Sequence, residues 1–220
     1  LLVETPDVPN LPYELDNGVK VFRLVAEPVK RELLPGKVME VWGYNGSCPG
    51  PTIQVNQGDR VRIILENRLP EPTTMDWHGF EIPVQMDGMP WISQKPIPPG
   101  GRFAYEFTLH QEGTFFYHSH GAMQEMLGMI GMFIMHPKKP YTPRVDHDFG
   151  IILQGWALLP NSTVPNTAGM EFDSISRDER FLALIKPKTT ADSDLHLYDV
   201  RSKAMQPPGS TITSSPTTAA

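Results

Sequence analysis

The sharpest chemistry in the sequence is carried by His118-Ser119-His120. Residues i and i+2 of a strand point to the same side, so both imidazoles can reach one metal or two adjacent ones. Imidazole suits copper, zinc and iron. The competing reading is two polar histidines on a solvated strand face. Asp76-Trp77-His78 holds a second i, i+2 pair, a carboxylate and an imidazole on one edge. On its own, His78 reads as a structural histidine, and Gly79 beside it allows close approach of another chain segment.

Sulfur is the next candidate. Eight of the 11 methionines lie between Met75 and Met135. Thioethers are soft ligands that favour cuprous copper, yet Met also fills irregular cores, and that reading covers most of them. Met123 and Met126, just after the His pair, are the best-placed exceptions. Cys48 is the single cysteine, so no intrachain disulfide forms. It sits in a turn with no nearby His, whereas a blue-copper site needs Cys plus two His. His110, His136, His147 and His196 have no partner at ligand spacing and read as structural or surface residues. There is no glycine-rich phosphate loop, serine-nucleophile elbow or zinc-protease helix.

The elements that position these residues read as strands. Twenty-three prolines and 18 glycines punctuate 220 residues, which favours many short strands over long helices. Residues 1 to about 18 form a Pro-rich arm. Val19–Val25 alternates, with Val19, Val21, Arg23 and Val25 on one face. Lys37–Trp42 is a short strand, and residues 44–51 a rigid turn. In 53–65, broken at Gly58-Asp59, Val61, Ile63 and Leu65 share a face opposite Arg60, Arg62 and Glu66. Phe103–Leu109 alternates most clearly. Thr114–His120, Ile130–His136 and Phe149–Trp156 complete about eight strands, which suggests a sandwich or barrel of antiparallel strands.

Forty per cent hydrophobic residues permit a substantial core, in one large domain or two small ones. A net charge of −6 with no long basic run argues against nucleic-acid binding. The apolar stretch from Met126 to Met135 is interrupted by Gly128 and Gly131 and falls far short of the roughly 20 residues of a membrane span. No signal peptide is visible, and a start at Leu1 is what removal of an N-terminal segment would leave. Beyond Phe172 the character changes: Asp173–Arg180 is highly charged, and Met205–Ala220 is almost entirely Pro, Ser, Thr and Ala. The expectation is one domain over 1–172 and an atypical, disordered tail over 173–220, of the kind a truncated or frame-shifted gene end would produce.

Several segments, in order, resemble the first domain of multicopper oxidases. They are Tyr44-Asn45-Gly46, Pro49-Gly50-Pro51-Thr52-Ile53, Gly58-Asp59, Asn67, Trp77-His78-Gly79, Asp87-Gly88, Pro98-Pro99-Gly100 and Gly113-Thr114-Phe115-Phe116-Tyr117-His118-Ser119-His120. The match covers roughly residues 35–136. The resemblance implies an all-β, Greek-key cupredoxin sandwich and copper as cofactor. It implies an enzyme of two or three such domains, periplasmic or extracellular, that oxidises phenols, amines or metal ions and reduces dioxygen. A type 1 copper takes the electrons, and four His-x-His pairs hold one type 2 and two type 3 coppers. By position, His78 and His118 share one type 3 copper, and His120 holds the other. The Trp77 and Tyr117 rings belong to the packed shell, and Gly79 lets the ligand strands approach. Some relatives form trimers, so a homo-oligomer fits the family.

The chain departs from that pattern. Asp76 stands where the family's first pair has the type 2 histidine. No His-Cys-His segment exists, so type 1 ligands and the other two pairs are missing from these residues. Three functions follow as alternatives: part of a laccase-like oxidase, a copper-binding module without catalysis, or a structural remnant without metal. The metal ligands expected are Asp76, His78, His118 and His120. Affinity is expected to fall near the histidine pKa of about 6.5, shifted down by metal competition.

Overall fold

A computed structural model describes residues 2–121, 123–140, 142 and 144–156, and the backbone of four further strands between 171 and 205. The chain divides into two compact units, Leu1–Ala168 and Gly169–Ala220. The first contains β1 (Glu14–Asp16), β2 (Val19–Leu34), β3 (Lys37–Tyr44), β4 (Gly50–Asn56), β5 (Arg60–Asn67), β6 (Met75–His78), β7 (Arg102–Thr108), β8 (Gly113–Ser119) and β9 (Ile130–His136). Two single-turn 3-10 helices, Val84–Met86 and Glu125–Leu127, sit in loops.

These strands form two sheets. One has the order β1-β2-β5-β7 with β3 also on β2, and the other runs β4-β9-β8-β6. Most neighbours are antiparallel, but β2 pairs with β5, and β4 with β9, in parallel. The sequence suggested antiparallel strands. The parallel pairs arise because β2 reaches β5, and β4 reaches β9, only after the chain has crossed to the opposite sheet. Between the sheets lies one core. Phe22, Leu24, Ile63, Leu65, Tyr105 and Phe107 of the first sheet meet Ile53, Trp77, Tyr117 and Phe133 of the second.

Period-2 patterning explains β5 and β7 directly. Val61, Ile63 and Leu65 are fully buried, while Arg62 and Glu66 turn outward to pair with Glu106 and Arg102. In β2, where Val19, Val21, Arg23 and Val25 share a face, the most deeply buried side chains lie on the other one: Phe22, Leu24 and Ala26 are fully buried and Arg23 is exposed. Both faces of β2 carry apolar residues, so alternation alone did not decide. Val19 and Val21 are buried as well.

Phe149–Trp156 is not a strand. Only Phe149 makes a bridge, to Glu4, and Ile151 and Leu153 are exposed. Its apolar composition mimicked a strand, but beyond Gly150 none of the described residues pairs with its backbone. The N-terminal arm is tied down by that bridge, by Asn10 against Thr52 and by the β1–β2 pairing.

The second unit contributes β10 (Glu171–Ile175), β11 (Phe181–Pro187), β12 (Ser193–Asp199) and β13 (Ala204–Met205), an antiparallel sheet in chain order. The tail expected over 173–220 therefore includes described strands, and residues 206–220 lie outside the described residues.

Candidate metal centre

Strand β6 is only four residues long, and other elements fix its place. The Met75 N–H donates to the Tyr105 hydroxyl at 3.0 Å. The Asp87-Gly88 turn passes so close that a Cβ on Gly88 would lie 1.7 Å from the Met75 carbonyl oxygen. Upstream, the buried Asn67 amide donates to the Glu71 and Ile97 carbonyls and accepts from Leu69 N–H, shaping the loop that leads into β6. Two segments of the family-like pattern, Asn67 and Asp87-Gly88, thus act on one short strand.

β6 pairs with β8 in antiparallel register, with Asp76 opposite His118, Trp77 opposite Tyr117 and His78 opposite Phe116. Alternation then sorts the side chains. Met75, Trp77 and Tyr117 point into the core, where Trp77 meets the rings of Tyr105, Phe107 and Phe133. Tyr117 occupies a slot that glycine makes: a Cβ on Gly131 would lie 2.1 Å from its ring, and its hydroxyl donates to the Pro51 carbonyl at 2.7 Å. Both rings belong to the packed shell, as expected.

On the other face Asp76, His78 and His118 converge. His118 Nε2 lies 2.8 Å from Asp76 Oδ2 and 3.3 Å from His78 Nδ1, and His78 Nδ1 lies 3.6 Å from Asp76 Oδ2. Among the described residues these three form a group of donors able to hold one ion. His120 is not part of it. Its ring stacks beside that of His118, with centroids 6.2 Å apart. Of the expected ligands Asp76, His78, His118 and His120, the structure brings the first three together and leaves His120 beside them. The donor set fits a single copper ion. It supplies too few imidazoles for a whole copper cluster.

Sequence reading missed the groups around His118 and His78. The His118 Nδ1 faces the Ser119 carbonyl at 3.0 Å and a Glu125 carboxylate oxygen at 3.5 Å. Phe116 stacks on His78 with centroids 4.3 Å apart. Burial pulls the His118 pKa down. The Asp76 hydrogen bond, the Glu125 charge and the Ser119 carbonyl outweigh it, and the value ends above the ordinary one.

Ser119 points away from the ligand face. Its hydroxyl donates to Gln124 Oε1 at 2.5 Å, and Thr73 Oγ1 donates to the same oxygen at 2.7 Å. The Gln124 amide nitrogen donates to Glu71 and to the Pro72 carbonyl. This buried network pins the strand end between His118 and His120. No local pattern announces it, because its members lie up to 53 residues apart.

Other sulfur and imidazole candidates fall elsewhere. Cys48 is buried among Val29, Met39 and Val41, and burial pushes its thiol up to about 11. Met123 is buried and Met126 exposed. Gly79 does not serve close approach, since a Cβ there would meet Phe115 at an ordinary 3.6 Å; its φ of +80° is what favours glycine.

A two-sheet sandwich with a cluster of imidazole and carboxylate donors on two adjacent strands defines a cupredoxin-type domain. The family model for multicopper oxidase matches residues 26–140, so the chain belongs to the multicopper oxidase family. It is 36% identical over 123 residues to copper resistance protein A of Pseudomonas syringae pv. tomato, covering 56% of this chain and 20% of that protein. It is 40% identical over 127 residues to L-ascorbate oxidase of Cucurbita pepo var. melopepo, covering 53% of this chain and 22% of that protein. Among solved structures, a laccase from Pediococcus acidilactici matches with a TM-score of 0.63 and 28% identity, over 76% of this chain and 38% of that one. The chain spans about a fifth of the length of these curated relatives. Copper is the metal of this family.

Proposed function

We propose that this chain is the copper-binding cupredoxin domain of a laccase-like multicopper oxidase. In this reading His78, His118 and His120, with Asp76, are its share of a type 2/type 3 copper cluster. The observation that carries it is the convergence of two imidazoles and a carboxylate on the β6–β8 face within a family-matched domain. Copper, when bound, supplies one-electron exchange between an oxidisable phenol or metal ion and dioxygen. The chain's own residues hold the donors in place. The β6–β8 register sets Asp76 against His118, Phe116 backs the His78 ring, and the Gln124 network holds Ser119. Type 1 ligands must come from outside these residues, because the single cysteine is packed in an apolar pocket without histidine. A periplasmic or extracellular location goes with this reading.

That missing thiolate favours one second reading, a copper-binding module without turnover. Two measurements separate them. The chain, loaded with copper and dialysed, is expected to retain at least one ion; a metal-free protein after dialysis rules out both readings. Oxygen uptake with a phenolic substrate is then expected to be negligible for the chain alone and to appear when it is joined to a domain bearing His-Cys-His. No uptake in that joined form leaves only the non-catalytic module.

A further inference from the structure

We propose that Asp76, His78 and His118 make a self-sufficient mononuclear site for one divalent cation, two imidazoles and one carboxylate with a coordination position left open, and that His120 lies outside it. This deepens the copper reading above and rests on it for the metal.

Geometry is the first support. A metal–ligand bond of about 2.0–2.2 Å sets neighbouring donors of a tetrahedral ion about 3.3–3.6 Å apart. The three donor–donor distances of 2.8, 3.3 and 3.6 Å bracket that spacing. One ion can therefore touch all three atoms with little movement of the backbone.

A second support comes from the groups behind the ligands. A ligating histidine nearly always gives its other ring N–H to a carbonyl or carboxylate, which fixes the tautomer. His118 has both on its Nδ1 side, the Ser119 carbonyl and Glu125, which leaves Nε2 as the donor facing Asp76 and His78. Phe116 stacked on His78 limits rotation of that ring. The ring of His120 stacks alongside His118 rather than joining the triangle.

The substitution at position 76 thus has a stated effect. The resemblance gives that position a histidine for a separate copper. Here the shorter carboxylate turns onto His118 and joins the ion that His78 and His118 hold. Carboxylate is harder than imidazole, so the site should favour cupric over cuprous copper and should also take zinc.

The test uses the full 220-residue chain, stripped of metal, titrated with Zn²⁺ against a competing chelator and with Cu²⁺ followed by electron paramagnetic resonance. One ion per chain and hyperfine structure from two nitrogens are expected. His118→Ala, His78→Ala and Asp76→Asn should each weaken binding by more than the ~10–100-fold that loss of an outer-shell partner costs such sites. His120→Ala should leave affinity within about twofold. Thermal unfolding of each metal-free variant checks that the fold survives. Should His120→Ala cost as much as His118→Ala, the strand pair is the site and this assignment fails while the copper reading stands. An unchanged affinity in Asp76→Asn overturns the carboxylate's role. If the parent chain binds neither ion, both readings fall together.

Discussion

The two faces of the β6–β8 pair differ as sharply as any two parts of the molecule. One face is Met75, Trp77, Tyr117 and Ser119, buried and held by rings, a carbonyl or an amide. The other is Asp76, His78 and His118, a cluster of titratable groups that reaches solvent through an exposed His78. Adjacent residues alternate between these environments, so stability and ligand chemistry occupy the same pair of strands without sharing side chains. The lesson is that substitutions one position apart should give opposite phenotypes.

The largest effect should come from Trp77→Ala. It removes a side chain 1% exposed and packed against five rings, and such truncations cost about 3–5 kcal/mol. Urea unfolding would measure it. A loss no greater than that of His78→Ala would erase the distinction between the faces.

Next in size is Gln124→Ala, which strands Thr73, Ser119 and Glu71. Leaving buried polar partners unmade costs about 1–3 kcal/mol each way it is felt. Stability should drop by that order, and metal affinity should weaken less than in His118→Ala. Equal loss of binding in the two variants would mean that the two faces are not separable at the strand end.

A smaller effect is the pH term of His118. Its folded pKa is raised, so the protonated ring stabilises the metal-free fold. That contribution is fully present below the unfolded value of about 6.5 and is lost as pH rises through the folded one. Subtracting the stability of His118→Ala from that of the parent, across this window, should reveal it. With metal present the sign reverses: affinity falls on acidification, and the fall begins above about pH 6.5, higher than sequence alone suggested. A stability difference that is flat with pH would contradict the Asp76–His118 hydrogen bond.

The smallest effect is expected in the visible spectrum. Adding Cu²⁺ should give no intense blue band, because that colour needs thiolate beside two imidazoles. A band that disappears in Cys48→Ser would place sulfur chemistry on a face that the structure makes apolar.

Much of this was legible in residue order. Val61, Ile63 and Leu65 against Arg60, Arg62 and Glu66 wrote out β5, and Phe103, Tyr105 and Phe107 wrote out β7, because one face of each is solvated. In β2 period 2 grouped Val19, Val21, Arg23 and Val25 but could not say which face is inside, because both faces carry apolar residues. Phe149–Trp156 was misread because exposed Ile151 and Leu153 look like core. For the site, period 2 put Asp76 with His78 and His118 with His120. It could not show that antiparallel register sets Asp76 directly opposite His118 and leaves His120 aside. Ser119, Gln124, Thr73 and Glu71 meet only through the fold, so no local spacing announces them.

The buried thiol has a consequence for handling redox-active ions. Thiolate, not thiol, reacts with oxidants, alkylating agents and metals. With a pKa pushed up to about 11, Cys48 holds roughly one molecule in ten thousand as thiolate at neutral pH, and its sulfur faces the Gly128 carbonyl inside the protein. In the copper reading proposed above, a domain that meets cupric ion and dioxygen together gains from so inert a thiol. It cannot readily reduce the metal, seed sulfenic acid or cross-link two chains while the fold stays closed.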